Sequence, residues 1–194
     1  MVIANQPVCC TLVGDGMVGK TSIAHTFIGK RVEEKYVATV FENYTGGTYI
    51  NGESHTVNIF DPAGQHDYDR MRACTYTDCE VILVCYNASD RDTFDNVTSF
   101  WLPEIRRFRG KKSTLILVAT KTDTRNPDSD SSVSTQEGKD LARKINAVGY
   151  METTTQNYKS VKDVFEKVVT SALKCRKKKN KFFKNIFRRQ PNRF

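Results

Sequence analysis

Gly14-Asp15-Gly16-Met17-Val18-Gly19-Lys20-Thr21 reads G-x-x-x-x-G-K-T, a spacing suited to holding a chain of phosphates. Gly14 and Gly19 permit turns closed to other residues, so the backbone N–H groups of Asp15, Gly16, Met17, Val18, Gly19 and Ser22 can face phosphate oxygens ahead of a helix N-terminus. Lys20 supplies a point charge for the outer phosphates and Thr21 a hydroxyl for Mg²⁺. The flanks supply the required context, a buried strand at Val8 to Val13 and a helix start at Ser22 to Ile28. The plain alternative, a glycine-rich turn with no ligand, loses ground with each further motif.

Two such motifs follow. Asp61 closes an apolar run and precedes Ala63-Gly64-Gln65, the place where a P-loop NTPase sets a carboxylate for Mg²⁺ and senses the terminal phosphate. Asp61 would act through a metal-bound water, Gly64 would offer its N–H to the γ-phosphate, and Gln65 would orient the attacking water. Thr120-Lys121-Thr122-Asp123 selects the base. A carboxylate at Asp123 accepts two N–H bonds from guanine N1 and N2, which adenine does not offer, while the Lys121 stem packs on the ring and Thr120 supports the loop. The ligands implied are GTP and GDP with Mg²⁺. A phosphate-transferring kinase is disfavoured by the guanine motif and by the lack of a second-substrate lid.

The elements that must position these residues alternate between strand and helix. Apolar runs predict strands at Val8 to Val13, Thr45 to Ile50, His55 to Phe60, Val81 to Tyr86, Thr114 to Ala119 and Tyr150 to Thr153. Asn51-Gly52 is a hairpin turn signal, so the second and third strands pair antiparallel. The fold class is α/β, a doubly wound mixed six-stranded sheet with one antiparallel strand and helices on both faces. Ser89 to Asp92 and Ser134 to Glu137 read as capping boxes, and Ser160 to Asp163 as a third helix start. Pro103 is expected to kink or break the helix running from Phe94 to Phe108. Gly29 to Ala38 reads as a mobile connector.

The 194 residues, 39% of them hydrophobic, suit one domain. We divide the chain into a nucleotide-binding domain over residues 1–173 and a tail over residues 174–194. Ten of the 30 Lys and Arg lie in that tail, which has no acid; the rest carries 20 bases against 22 acids. The +8 net charge therefore belongs to the tail, and no nucleic-acid partner is expected for the domain surface. The six cysteines lack metal-ligand spacing and read as buried reduced thiols. Without a signal peptide or a membrane-spanning run the expected location is cytoplasmic, and the three N-x-S/T triplets read as coincidence.

The ordered set of motifs resembles the Rho family of Ras-superfamily small GTPases over Val8 to Leu173. Tyr36-Val37-Ala38-Thr39-Val40-Phe41-Glu42-Asn43-Tyr44 is similar to the Rho switch I, Asp67 to Arg72 to its switch II, and T-K-x-D to the Rho form of the base motif. The resemblance implies that Thr39 joins Thr21 and Asp61 at Mg²⁺ and meets the γ-phosphate, and that Tyr36 and Val37 close over the phosphates. It places Thr154, Thr155 and Gln156 in the E-x-S-A-K/L loop, where the Thr155 N–H would reach guanine O6. It also implies effector proteins on switches I and II, exchange factors, and activating proteins that supply an arginine. Gly16 and Gln65, needed for hydrolysis across the family, are present, so slow intrinsic turnover is expected, with Lys20 and Gly64 as the other catalytic groups.

The departures are specific. Val32 stands where the family places an aromatic edge against guanine, which predicts faster nucleotide exchange and a switch that loads itself. Thr154 and Thr155 replace serine and alanine, Pro62 follows Asp61, and His66 replaces an acid. The stretch from Thr124 to Gln136 is too short for the Rho insert helix. The last residues, Gln190-Pro191-Asn192-Arg193-Phe194, form no C-a-a-X prenylation box. A helical tail would instead align Lys177, Lys181, Lys184 and Arg188 opposite Phe182, Phe183, Ile186 and Phe187, a pattern for an anionic membrane, with Cys175 as an acylation candidate. The expected location is thus peripheral, on the cytoplasmic face of the plasma membrane or endomembranes; a solvated, nuclear-targeting or RNA-binding tail is the alternative.

Overall fold

The computed structural model describes residues 6–31, 38–110 and 113–187. Val32, Tyr36 and Val37 lie outside the described residues. Six strands form one sheet: β1 (Val8–Val13), β2 (Phe41–Ile50), β3 (Glu53–Pro62), β4 (Val81–Asn87), β5 (Leu115–Thr120) and β6 (Gly149–Glu152). Their order is β2-β3-β1-β4-β5-β6, with β2 antiparallel to β3 and every other neighbour parallel. The hairpin turns on Asn51 and Gly52, both at positive φ (51° and 84°), as a two-residue type I′ turn requires. Strands β4 and β5 are apolar up to their last residues, Asn87 and Thr120, because helices cover both sides.

One face of the sheet packs against α1 (Lys20–Phe27) and α6 (Tyr158–Phe187), where Phe27 stacks on Phe165 with ring centroids 4.0 Å apart. The other packs against α2 (Asp69–Asp78), the helix α3 (Arg91–Asn96) with its continuation α4 (Leu102–Arg109), and α5 (Thr135–Lys144). Pro103 does not break the run from α3 to α4. Val97–Trp101 widen into a π-turn, and Pro103 falls at the start of α4. The wider turn accommodates a residue with no N–H to return, and it buries Val97 and Trp101.

The caps differ in detail from expectation. Ser134 and Glu137 form the reciprocal box, Glu137 N donating to Ser134 Oγ (3.2 Å) and Ser134 N to Glu137 Oε2 (2.8 Å). Ser89 closes no box: Asp90 is the N-cap residue without a side-chain bond, and Thr93 Oγ1 instead donates to Asp90 O (2.8 Å). Helix α6 starts earlier than Ser160, with Asn157 Oδ1 accepting from Lys159 N at 3.0 Å. Cys10, Cys79 and Cys85 are buried thiols as expected, whereas Cys74 is exposed. Among the described residues no helix is long and apolar enough to cross a membrane.

The Ser134 box also predicts an acid limb of stability. Arg91, followed by the Ser134 backbone N–H, holds the Glu137 carboxyl down at about 2. Its contribution is complete above the ordinary 4.5 and is lost as pH falls toward about 2. Because the pair is partly solvated, screening limits its worth to about 1 kcal/mol. Chemical denaturation of Glu137→Gln between these pH values should show a shallower acid decline than the wild type; parallel curves would refute the assignment.

Candidate functional site

The phosphate loop starts at a glycine for a steric reason. Gly14 has φ 139°, and a Cβ there would sit 2.2 Å from the Cys85 carbonyl oxygen, inside any tolerable contact. Gly19, at φ 97°, is the N-cap of α1, so the helix opens at Lys20 with its first N–H groups directed at the loop. Met17 takes a positive φ of 62° with an exposed side chain. Lys20 is buried, and its ammonium donates to Gly14 O (2.8 Å) and Asp15 O (2.7 Å). Burial lowers its pKa, opposed by the Asp61 carboxylate.

The carboxylate of Asp15 is turned toward the helix run from α3 to α4. It accepts from Trp101 Nε1 (2.8 Å) and Asn96 Nδ2 (2.7 Å), so the π-turn pins the loop from behind and leaves its backbone to the ligand. Trp101 and Asn96 were not found from the motif, because they lie more than 80 positions away.

Three oxygen groups converge beside Lys20. Thr21 Oγ1 donates to Asp61 Oδ2 (2.5 Å) and lies 2.9 Å from Thr39 Oγ1. Asp61 is fully buried, and its Oδ1 has no hydrogen-bond partner among the described residues. Burial raises the Asp61 pKa, while Thr21 and Lys20 pull it down. A buried carboxylate oxygen left open beside two hydroxyls fits a hard divalent cation such as Mg²⁺, which prefers oxygen donors.

The loop after Asp61 brings Gly64 against Lys20, with Gln65 exposed beyond it. Its carbonyls are held by Arg72 of α2, whose Nη1 donates to Ala63 O (3.0 Å) and Gln65 O (2.5 Å). Arg72 is itself fully buried, forked onto Glu104 through Nε (2.8 Å) and Nη2 (2.7 Å), and lies 4.9 Å from the Trp101 ring centroid. Tyr76 adds its hydroxyl to Glu104 at 2.5 Å. Glu104 and Tyr76 support Arg72 and through it this loop, and no local sequence pattern discloses them.

The base loops meet at the ends of β5 and β6. Thr120 Oγ1 donates to Val18 O (2.5 Å) and Tyr86 O (2.9 Å), which ties the base motif to the phosphate loop. Lys121 is left-handed (φ 52°), which turns the chain into the short 3-10 segment Thr122–Thr124 that displays Asp123. Thr154 N donates to Ser160 Oγ (3.2 Å), and Gln156 N to Thr154 Oγ1 (3.1 Å). The threonine at 154 thus organises the turn that carries Thr155. Beneath it Glu152 Oε1 accepts from Arg125 (2.7 Å), Thr135 (2.8 Å) and Tyr150 (2.7 Å). Of these contacts, only the loop-supporting role of Thr120 is legible in the sequence.

Lys20, Thr21, Thr39, Asp61 and Gly64 therefore share one corner, and Thr120 joins it to Lys121, Asp123, Thr154, Thr155 and Gln156. Both groups stand at the carboxyl ends of parallel strands, where this architecture binds ligands. The family model for the Ras family matches residues 10–174. The Ras-like GTP-binding protein RhoL of Drosophila melanogaster is 38% identical over 164 residues, covering 84% of this chain and 86% of that protein. With the phosphate corner, the base loops and this extent of likeness together, the chain belongs to the Ras family of small GTPases, GTP-binding switch proteins.

Proposed function

We propose that the protein is a Rho-type switch that hydrolyses GTP slowly and signals through its two switch loops to cytoskeleton, polarity or membrane traffic. The observation that carries the reading is the contact of Thr21 with both Thr39 and Asp61, which gathers phosphate loop, switch I and the switch II strand at one point. Mg²⁺, held by Thr21, Thr39 and, through water, Asp61, would neutralise charge on the phosphates. Lys20 binds the outer phosphates, Gly64 N–H contacts the γ-phosphate, and Gln65 orients the attacking water. The Asp123 carboxylate reads guanine, with Thr155 N–H on the other edge. The near-complete Rho-like run from Tyr36 to Tyr44 supports effector and activating-protein binding on this face.

Single-turnover phosphate release from GTP-loaded protein should proceed at about 10⁻⁴ to 10⁻³ s⁻¹, and Gln65→Leu should slow it about tenfold. Equal rates would remove Gln65 from the reaction. A second reading, a self-loading switch that recruits effectors with little dependence on hydrolysis, is favoured by Val32. Release of a fluorescent GDP analogue with Mg²⁺ present separates the two: the self-loading reading requires fast release that Val32→Phe slows.

The tail is assigned to an anionic membrane. Lys177, Lys178, Lys179 and Lys181 are exposed on the last helix, and the sequence pattern sets phenylalanines opposite a basic stripe. Each base near an anionic leaflet is worth about 1 kcal/mol as an upper guide.

A further inference from the structure

We infer that α6 carries the basic tail as a rigid stem, locked to the domain at Arg176, so that an anionic bilayer engaging the tail holds the domain in one orientation. The inference rests on the membrane reading of the tail and adds what joins tail to domain. Helix α6 runs unbroken over 30 residues, Tyr158–Phe187, with no Gly or Pro inside it. Val161, Val164, Phe165, Val168, Val169 and Ala172 are fully buried against the sheet. Packing ends at the half-buried Leu173. Past that point a helix has no core to hold it.

Arg176 supplies the hold. Its Nε and Nη2 fork onto Glu80 Oε1 (2.7 Å) and Oε2 (2.6 Å). Nη1 donates to Gln6 O (3.1 Å) and Nη2 to Pro7 O (2.9 Å). One guanidinium thus ties the helix to the residue before β4 and to the chain entering β1, and Glu80 is itself fixed by its N–H on Cys9 O (2.8 Å). A bidentate fork constrains direction as well as distance, unlike a lysine contact.

Beyond the lock, residues 177–187 rise about 16 Å at the helical pitch. Such a piece would be marginal alone, and Lys177 and Lys181, four apart, repel. Here the nucleation cost is already met by the packed part of α6, and a negative surface screens the repulsion. The stem therefore stiffens on the bilayer it binds. A flexible tether of the same charge would bind as well but would leave the domain free to turn, with its switch face at no set angle to the membrane.

The test uses the full chain, whose single tryptophan, Trp101, is buried in the domain. Time-resolved energy transfer from Trp101 to a dansyl-headgroup lipid in phosphatidylcholine–phosphatidylserine vesicles reads the distance of the domain from the surface. The wild type should bind these vesicles, release from pure phosphatidylcholine ones, and give a narrow distance distribution. Glu80→Gln should bind equally, since every base is kept, yet lose the single narrow distance. The exchanged pair Glu80→Arg with Arg176→Glu, which regains the fork but not the bonds to Gln6 and Pro7, should narrow it again in part, which a general folding defect would not. A distribution equally narrow in Glu80→Gln, or equally broad in the wild type, overturns the lock while leaving the membrane reading intact. Failure of the wild type to bind the anionic vesicles overturns the membrane reading itself.

Discussion

Gly64→Ala is expected to bind GDP as the wild type does and to hydrolyse GTP at least about a hundredfold more slowly. A Cβ at this position would meet Lys20 Nζ at 2.4 Å, Gly14 O at 2.6 Å and Asp15 C at 2.7 Å. Two of the three are backbone atoms. The third is the end of a flexible side chain, but Gly14 O and Asp15 O already hold it. Nor can the loop yield easily on its far side, where Arg72 anchors the carbonyls flanking Gly64. The methyl group must push residue 64 off the phosphate loop by a large fraction of an ångström or more. In the proposed function GDP is held by the phosphate loop and the base loops, neither of which needs that approach. The proposed γ-phosphate contact and the proposed aim of Gln65 do need it, and misplacement of about 1 Å costs roughly a hundredfold in rate. Stopped-flow nucleotide binding together with single-turnover hydrolysis measures both halves. A variant that hydrolyses at the wild-type rate would mean that the loop works from another position.

The contrast between Gly64 and its supports explains what the sequence could disclose. Lys20, Thr21, Asp61, Gly64 and Asp123 were legible because each lies in a short motif whose spacing is fixed by one loop. The six strands were legible for a similar reason, since a buried parallel strand is a continuous apolar run and Asn51-Gly52 names its own turn. What stayed hidden is the contact that depends on tertiary distance. Asp15 is 86 positions from Trp101 and Arg72 is 32 from Glu104, and no local pattern joins them. Pro103 shows the intermediate case: its disruptive effect was legible, but the π-turn that absorbs it was not, because the alternative to a break depends on the value of burying Trp101. Ser89 failed as a cap for a related reason. Its hydroxyl lies 2.9 Å from Thr124 Oγ1 across the site, and that tertiary partner takes it from the helix.

Removing one member of the hidden ion pair gives the largest stability effect we expect. Arg72→Ala should destabilise the domain by about 3 to 5 kcal/mol, the cost of leaving a buried charge without its partner. Arg72 and Glu104 are both buried, so solvent cannot replace the lost bonds. Glu104 would keep the Tyr76 hydroxyl, and the Ala63 and Gln65 carbonyls would lose the guanidinium donor. Urea denaturation at neutral pH reads the loss directly, and a change under about 1 kcal/mol would contradict the burial argument. Stability and function should then come apart in a repacked triple variant, Arg72→Met, Glu104→Leu and Tyr76→Phe. It removes every charge and hydroxyl of the island together, and such replacements by apolar residues of similar volume are often neutral or stabilising. Its midpoint should return toward the wild type. Its GTP hydrolysis should not, because nothing apolar can hold the two carbonyls that set the position of Gln65. If the triple variant is both stable and as fast as the wild type, the island is a folding device alone. If it is stable and slow, Arg72 acts on hydrolysis through the backbone of Gln65, and the buried charge is retained for that positioning rather than for the stability of the fold.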